Sequence, residues 1–348
     1  MNVLELTRHG SPAAAFAMRT RPDPEPGPGQ LSLSVEVSGI NFADVLARQG
    51  AYPEAPRPPC VIGYEVVGHI HTLGPGVGSE AGSTPLVPGR RVLAFTRFGG
   101  YASRAIASVK GVVPIPDDLE AGAAAALATQ GVTAYFATHE MVRIAPGDLV
   151  LVQAAAGGVG SLIVQLARAE GAVVAGTAGS QAKLELLRRL GVTYGIDYRA
   201  HDFASELLRL TKGRRPDLIF DSIGGASTRK ALSLLATGGR IVQFGVADLA
   251  GRGWALPRAL RAFLSFGLIH PLSLLLGSKG IIGVNLLRVA DERPEIVRRD
   301  MEAMVALATN GTLTPVVDRE FPAERVAEAH EYVESRQSVG KVVLRWAG

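Results

Sequence analysis

Among 348 residues there is one cysteine, Cys60. That excludes an internal disulfide, and with only seven histidines it also excludes a cysteine-rich zinc site. No uninterrupted apolar run approaches the roughly 18 residues that a membrane-crossing helix needs. The nearest, residues 254–276, is cut by Arg258, Arg261 and His270 and broken by Pro257 and Pro271. It reads as an amphipathic helical cover over a core or a partner subunit, with peripheral membrane contact as the weaker reading. No five like charges adjoin, and the basic surplus, 36 Lys+Arg against 32 Asp+Glu, is scattered. A nucleic-acid partner is therefore not expected, whereas a local anion site stays open. Residues 1–6 lack a basic stretch followed by an apolar one, so no secretory leader is expected and a reducing, cytoplasmic setting is.

What is present is a globular balance of 47% hydrophobic and 20% charged residues, over a length that suits about two domains. The 41 glycines and 21 prolines argue for many tight turns and against a helical bundle. Two textures divide the chain. Up to residue 122, alternating runs such as 31–37 are punctuated by PDPEPGPG (22–29), GPGVG (74–78) and PGRRV (88–92), which predicts a compact β-rich domain. From 123 to 289 the pattern turns to strand, turn and helix in repetition. Apolar runs at 149–153, 173–176, 218–221, 240–244 and 280–284 predict buried strands, with helices of 3.6-residue period at 161–170, 183–190 and 205–211. Such alternation means an α/β fold with a doubly wound parallel sheet. In 290–348, helices are predicted at 296–309 and 323–334, and a last strand at 341–345 returns to the first domain.

The strand at 149–153 runs into Ala154-Ala155-Ala156-Gly157-Gly158-Val159-Gly160, and a helix opens at once. This is the dinucleotide fingerprint, with Ala155, Gly157 and Gly160 at its three glycine positions. The second position must lack a side chain so that pyrophosphate reaches backbone N–H groups at the helix start, and the third lets helix and strand pack closely. The next strand ends in Thr177-Ala178-Gly179-Ser180, with Lys183 following and no carboxylate before Glu185. An acid there would bind a ribose 2′-hydroxyl and repel a 2′-phosphate. Hydroxyls and an ammonium favour the phosphate, so NADPH is the expected cofactor. The competing reading of Lys183 is a solvated helix residue.

Taken together, Gly39-Ile40-Asn41-Phe42-Ala43-Asp44-Val45, Gly50-Ala51-Tyr52-Pro53, Gly63-Tyr64-Glu65-Val66-Val67-Gly68 and the turn 155–160 resemble the medium-chain dehydrogenase/reductase superfamily. Within it they are most similar to the zinc-independent quinone oxidoreductase branch, which includes zeta-crystallin and polyketide synthase enoyl reductases. The 254–290 segment and Val339-Gly340-Lys341-Val342 resemble the synaptic-vesicle membrane protein homologues of that branch. The resemblance implies a GroES-like β-rich domain beside a Rossmann nucleotide domain. Positions that hold the catalytic zinc in metal-dependent relatives carry Asn41, Tyr64 and Thr129, none of them a zinc ligand. No metal is therefore expected.

Without a metal, catalysis rests on positioning and on hydrogen-bond donors around a developing enolate or hydroquinone oxygen. The resemblance implies Tyr52, Tyr64 and Asn41 as catalytic residues, against core aromatics and an Asx-turn as competing readings. It implies cofactor contacts at Asn41, Thr129, Thr133, Ala156, Gly157, Gly158, Val159, Gly160, Thr177, Ser180, Lys183, Tyr198, Phe244, Gly245, Val246, Asn285 and Lys341, the last against a solvated terminal lysine. Asp44 and Glu65 read as structural carboxylates. The expected function is NADPH-dependent reduction of quinones or enones by a homodimer. The alternative is an NADPH-binding lipid- or membrane-associated protein with little turnover.

Overall fold

A computed structural model describes residues 1–78, 85–247, 265–267 and 269–347. Its strands, in chain order, begin with β1 (Asn2–Leu6), β2 (Phe16–Thr20), β3 (Gln30–Ile40), β4 (Cys60–Val61), β5 (Glu65–Leu73), β6 (Arg91–Phe95), β7 (Arg104–Ser108) and β8 (Val112–Pro114). Then come β9 (Leu149–Val152), β10 (Val173–Ala178), β11 (Tyr194–Asp197), β12 (Leu218–Asp221), β13 (Arg240–Gln243) and β14 (Gly280–Gly283), and finally β15 (Val317–Pro322) and β16 (Lys341–Arg345). They divide between two compact units, Met1–Val132 with Leu286–Gly348, and Thr133–Asn285.

In the first unit a mixed sheet runs β15-β16-β3-β5-β6-β8, with β7 also on β3, and a small sheet runs β2-β1-β4. Alternation on β3 sends Leu31, Leu33 and Val35 to a core shared with Val66 and Ile70 of β5, Val92 of β6 and Val342 and Leu344 of β16. The chain's last strand pairs antiparallel with β3, Val342 opposite Ile40, so the C-terminus completes a sheet begun near the N-terminus. Helix Ala121–Ala126 packs on β3 and β16. Apolar packing therefore keeps 123–132 with the first unit, although the change of texture in the sequence placed them in the second.

The second unit is a wholly parallel sheet in the order β11-β10-β9-β12-β13-β14. Counted from β9 this is 3-2-1-4-5-6, the doubly wound dinucleotide-binding order. β9 and β12 are buried at every residue, as strands covered on both faces must be. The helices Gly158–Ala169, Gln181–Arg189 and Phe203–Leu210 begin two or three residues earlier than periodicity predicts. Their N-caps, Gly157, Ser180 and Asp202, lie ahead of the apolar stripe that periodicity detects.

Of the apolar segment 254–276, residues 254–264 and 268 lie outside the described residues. The rest ends in helix Pro271–Gly277, where Leu272, Leu275 and Leu276 are 52%, 73% and 79% exposed. Among the described residues these three leucines are not buried against a core, and the expectation for residues 254–264 falls outside the described residues. No described helix is long and apolar enough to cross a membrane.

Candidate functional site

In the first unit, β5 and β16 flank β3 on either side, so Glu65 at the start of one and Lys341 at the start of the other converge on the end of β3. Gly39 makes room for them. A Cβ there would lie 1.9 Å from Glu65 Oε1 and 2.7 Å from Lys341 Nζ. The wholly buried Glu65 carboxylate accepts hydrogen bonds from Lys341 Nζ, from Thr129 Oγ1 and from Asn41 Nδ2, the last at 2.8 Å to each oxygen. Lys341 also donates to Asn41 Oδ1 at 3.2 Å. Asn41 is the N-cap of helix Phe42–Arg48, and Asp44 accepts its backbone N–H at 2.8 Å and that of Gly63 at 3.1 Å. Burial and the neighbouring Glu65 charge hold the Asp44 carboxyl well above the usual carboxylate range. Asp44 is structural, as the sequence suggests. Glu65 is more than that, because it sets the orientation of two predicted site residues, Asn41 and Thr129.

Lys341 departs from the solvated reading. Its side chain is 0% exposed and its ammonium donates to Glu65 and Asn41, so it is not a solvated terminal lysine. Sequence position hides this, because the burying partners come from the other end of the chain.

Tyr52 and Tyr64 meet edge to face, ring centroids 6.3 Å apart, and Tyr64 also packs on Phe98 at 5.3 Å. Tyr64 is 1% exposed, and its hydroxyl is buried with no partner among the described residues. An unpartnered buried hydroxyl is costly to keep in a core. Burial, with the Glu54 and Asp44 charges, pushes the Tyr52 hydroxyl up to about 12. Sequence reasoning missed Phe98 and Arg97. Arg97 adopts φ 63°, lies over Phe98 and pairs with Asp291 at 2.6 and 2.9 Å. Neither residue sits in a motif, and only tertiary contact brings them to the tyrosines.

In the second unit, Ala154 takes φ 49° and Ala155 N donates to Thr177 O at 3.0 Å, which ties the turn to β10. A Cβ on Gly160 would lie 2.5 Å from Ala154 O, whereas one on Gly157 would meet only that oxygen, at 3.3 Å. Gly160 is thus a packing glycine, and Gly157 leaves open space above the helix start, where Gly158, Val159 and Gly160 present first-turn N–H groups. Ala156 is buried within the turn. This cradle suits a dinucleotide pyrophosphate.

The two hydroxyls expected to face a 2′-phosphate differ in their surroundings. Thr177 is buried and its Oγ1 accepts from Ala154 N at 3.1 Å, so it braces the turn, a correction to the expectation. Ser180 is exposed and caps helix Gln181–Arg189 by accepting from Lys183 N at 3.4 Å. Lys183 stands in that helix's first turn, and Glu185 is paired with Arg188. Tyr198, 45% exposed, lies over Gly179, where a Cβ would meet its hydroxyl at 2.6 Å. Phe244, Gly245 and Val246 leave β13 at the carboxyl edge of the sheet. Thr133 is buried and Asn285 exposed, at the two ends of this unit, while Thr129 belongs to the first.

The residues at the zinc-ligand positions do not fit a zinc ion. Asn41 and Thr129 both donate to Glu65, Tyr64 is a neutral phenol, and the Lys341 ammonium already supplies the cation beside the carboxylate. Among the described residues no cluster of three or more His, Cys, Asp or Glu side chains suits a metal.

Residues 27–117 match the family described as alcohol dehydrogenase GroES-like domain, and residues 190–344 match zinc-binding dehydrogenase. The mouse synaptic vesicle membrane protein VAT-1 homolog is 34% identical over 89% of this chain and 75% of its own length. For the zebrafish homolog the chain spans 63% of the relative's length, at 31% identity. The 2-haloacrylate reductase of a Burkholderia species is 32% identical over 88% of this chain and 87% of its own. Among solved structures, a mycobacterial protein complexed with NADPH superposes with TM-score 0.86 at 28% identity, over 99% of this chain and 100% of its own. The Escherichia coli quinone oxidoreductase complexed with NADPH does so with 0.85 at 25% identity, over the same shares. With its GroES-like unit, its doubly wound nucleotide unit and a site unsuited to zinc, the chain belongs to the medium-chain dehydrogenase/reductase family, in the zinc-independent quinone oxidoreductase-like group.

Proposed function

We propose that this protein is a zinc-independent, NADPH-dependent reductase of quinones or α,β-unsaturated carbonyl compounds. The observation that carries the reading is the Glu65-centred network, in which Lys341, Asn41 and Thr129 all donate to one buried carboxylate and leave it unsuited to bind a zinc ion. The relatives' names, a 2-haloacrylate reductase and a quinone oxidoreductase crystallised with NADPH, support the same class.

When bound, the nicotinamide supplies the hydride. The N–H groups at Gly157 to Gly160 hold the pyrophosphate, and Ser180 with Lys183 hold the 2′-phosphate. Tyr198, Phe244, Gly245, Val246, Thr133 and Asn285 line the remaining length of the dinucleotide. Asn41 and Thr129, fixed by Glu65, orient the reacting ring. Tyr64 offers its unpartnered hydroxyl to the acceptor oxygen. Tyr52, protonated across the physiological range, donates there as well and delivers the proton that completes the reduction.

The test is oxidation of NADPH and of NADH against a panel of quinones and enones. Turnover with at least one acceptor, faster with NADPH, is the expected result. Tight NADPH binding without turnover on any acceptor would refute the reductase. Exposed Leu272, Leu275 and Leu276 favour a second reading, an NADPH-binding protein that docks on lipid. Liposome co-sedimentation that survives Leu275→Glu would refute it. We also propose a homodimer through β14, the edge of its sheet, to be measured by sedimentation.

A further inference from the structure

At the carboxyl ends of β12 and β13 lies a polar chain, buried at Asp221 and Thr228 and half-buried at Gln243 and Gly245, that the reading above leaves unused. Thr228 Oγ1 sits 2.7 Å from Asp221 Oδ2 and 2.8 Å from Gln243 Oε1. Gln243 Nε2 in turn donates to the carbonyl oxygen of Gly245, and Asp221 Oδ1 accepts from Ile223 N at 2.7 Å and Gly224 N at 3.3 Å. Counting protons decides the direction of the chain. A backbone carbonyl only accepts, so the Gln243 amide must turn its NH2 to Gly245 and its oxygen to Thr228. That oxygen also only accepts, so Thr228 donates its single proton to Gln243. The remaining contact, Asp221 Oδ2 to Thr228, is then a hydrogen bond only if Asp221 supplies the proton.

We infer that Asp221 is a neutral carboxylic acid whose proton heads the chain Asp221, Thr228, Gln243, Gly245 and thereby positions the loop 244–246 for the cofactor. The inference rests on the proposed reading in one respect, that this loop contacts NADPH. The surroundings agree with a neutral acid. Asp221 is 0% exposed, and burial raises its carboxyl above the usual range although the backbone N–H groups of Ile223 and Gly224 act the other way. Among the described residues no charged side chain opposes it. On the elements packed against it, Lys230 turns to Asp202, Arg214 pairs with Asp217, and Arg229 lies against Gly267. β9 carries no titratable residue, and Arg240 is at the far end of β13, opposite Leu218. Asp221 is thus a positioning residue that acts through Thr228 and Gln243.

Carbon-13 NMR of aspartate-labelled protein tests the acid directly, the Asp221 signal being the one that Asp221→Asn removes. At pH 7 it is expected at the carboxylic-acid position, and a carboxylate position overturns the inference. NADPH titration by fluorescence tests the chain. Asn reproduces the donor toward Thr228 and the acceptor toward Ile223 and Gly224, so Asp221→Asn should bind within about twofold of wild type, while Thr228→Val should bind about fivefold more weakly. Equal binding by Thr228→Val and wild type, or an Asp221→Asn loss as large as that of Thr228→Val, overturns the positioning role. Failure of the wild type to bind NADPH would instead sink the proposed function, and the protonation state of Asp221 read by NMR would stand independently of it.

Discussion

The ammonium of Lys341 meets the carboxylate of Glu65 where solvent reaches neither, both side chains being 0% exposed. Such a pair survives only if every other donor and acceptor around it is also satisfied, because removing either partner strands a buried charge. Asn41 and Thr129 complete that set, so the orientation of the site and the stability of the first unit depend on the same four side chains.

Lys341→Met or Glu65→Gln should each lower stability by about 3–5 kcal/mol in urea unfolding. The double variant Lys341→Met/Glu65→Leu should recover much of the loss, since no charge is then left alone. A single-variant loss below about 1 kcal/mol, as for an exposed pair, would contradict the arrangement.

Gly39→Ala should cost about 3 kcal/mol, because its Cβ would lie 1.9 Å from Glu65 Oε1 and 2.7 Å from Lys341 Nζ, inside the buried ion pair. Gly283→Ala is the control. That glycine is a β14 residue with nothing within 4 Å of an added Cβ, and its substitution should stay within about 0.5 kcal/mol of wild type.

Tyr52→Phe should lower kcat roughly a hundredfold while the KM for NADPH moves less than about twofold. With its hydroxyl pushed up to about 12, Tyr52 stays protonated, so the wild-type kcat should show no falling limb from this group up to about pH 9. Tyr64→Phe removes a buried, unpartnered hydroxyl. It should therefore leave stability unchanged or raise it, by up to about 1 kcal/mol, while weakening turnover. Lower stability together with full turnover would assign Tyr64 to the core.

His330 is wholly buried beside Tyr101, with Nε2 3.1 Å from the phenol oxygen, and burial pushes its imidazole down to about 3. The unfolded chain takes up a proton near pH 6.5, which the folded chain refuses. The stabilisation is therefore full above that value and is lost as pH falls toward about 3. Urea unfolding between pH 7 and 4 should show wild-type stability declining about 1.4 kcal/mol per unit more steeply than that of His330→Gln. Parallel profiles would contradict the buried neutral imidazole.

Lys183→Ala should raise the Kd for NADPH about tenfold or more and leave that for NADH within about twofold, read by fluorescence titration. Equal effects on both would assign Lys183 to the solvated face of helix Gln181–Arg189.

Much of the nucleotide unit was legible because its signals are local. Of the strands from β9 to β14, all but β11, whose Tyr194–Asp197 stretch carries no apolar run, are short apolar runs bounded by turns, and the cradle from Ala154 to Gly160 needs only a strand, a tight turn and a helix start contiguous in sequence. The turn at Gly157 and Gly160 follows from what a missing side chain permits, which composition alone states. The helix starts were blurred, because caps such as Ser180 and Asp202 are polar and carry no periodicity.

The first unit's site was legible only as a set of names. The sequence by itself, through its resemblance to the family, led to the expectation that Asn41, Tyr64 and Thr129 stand where ligands of a metal would, and determined that none of them suits one. Only tertiary structure decided what stands there in the metal's stead. Lys341 is 300 residues from Asn41, and it reaches that site because β16 pairs with β3 beside a glycine. A lysine near a chain's end reads as solvated until the strands around it are known, because burial and charge pairing belong to contacts across a sheet and not to neighbours along the chain.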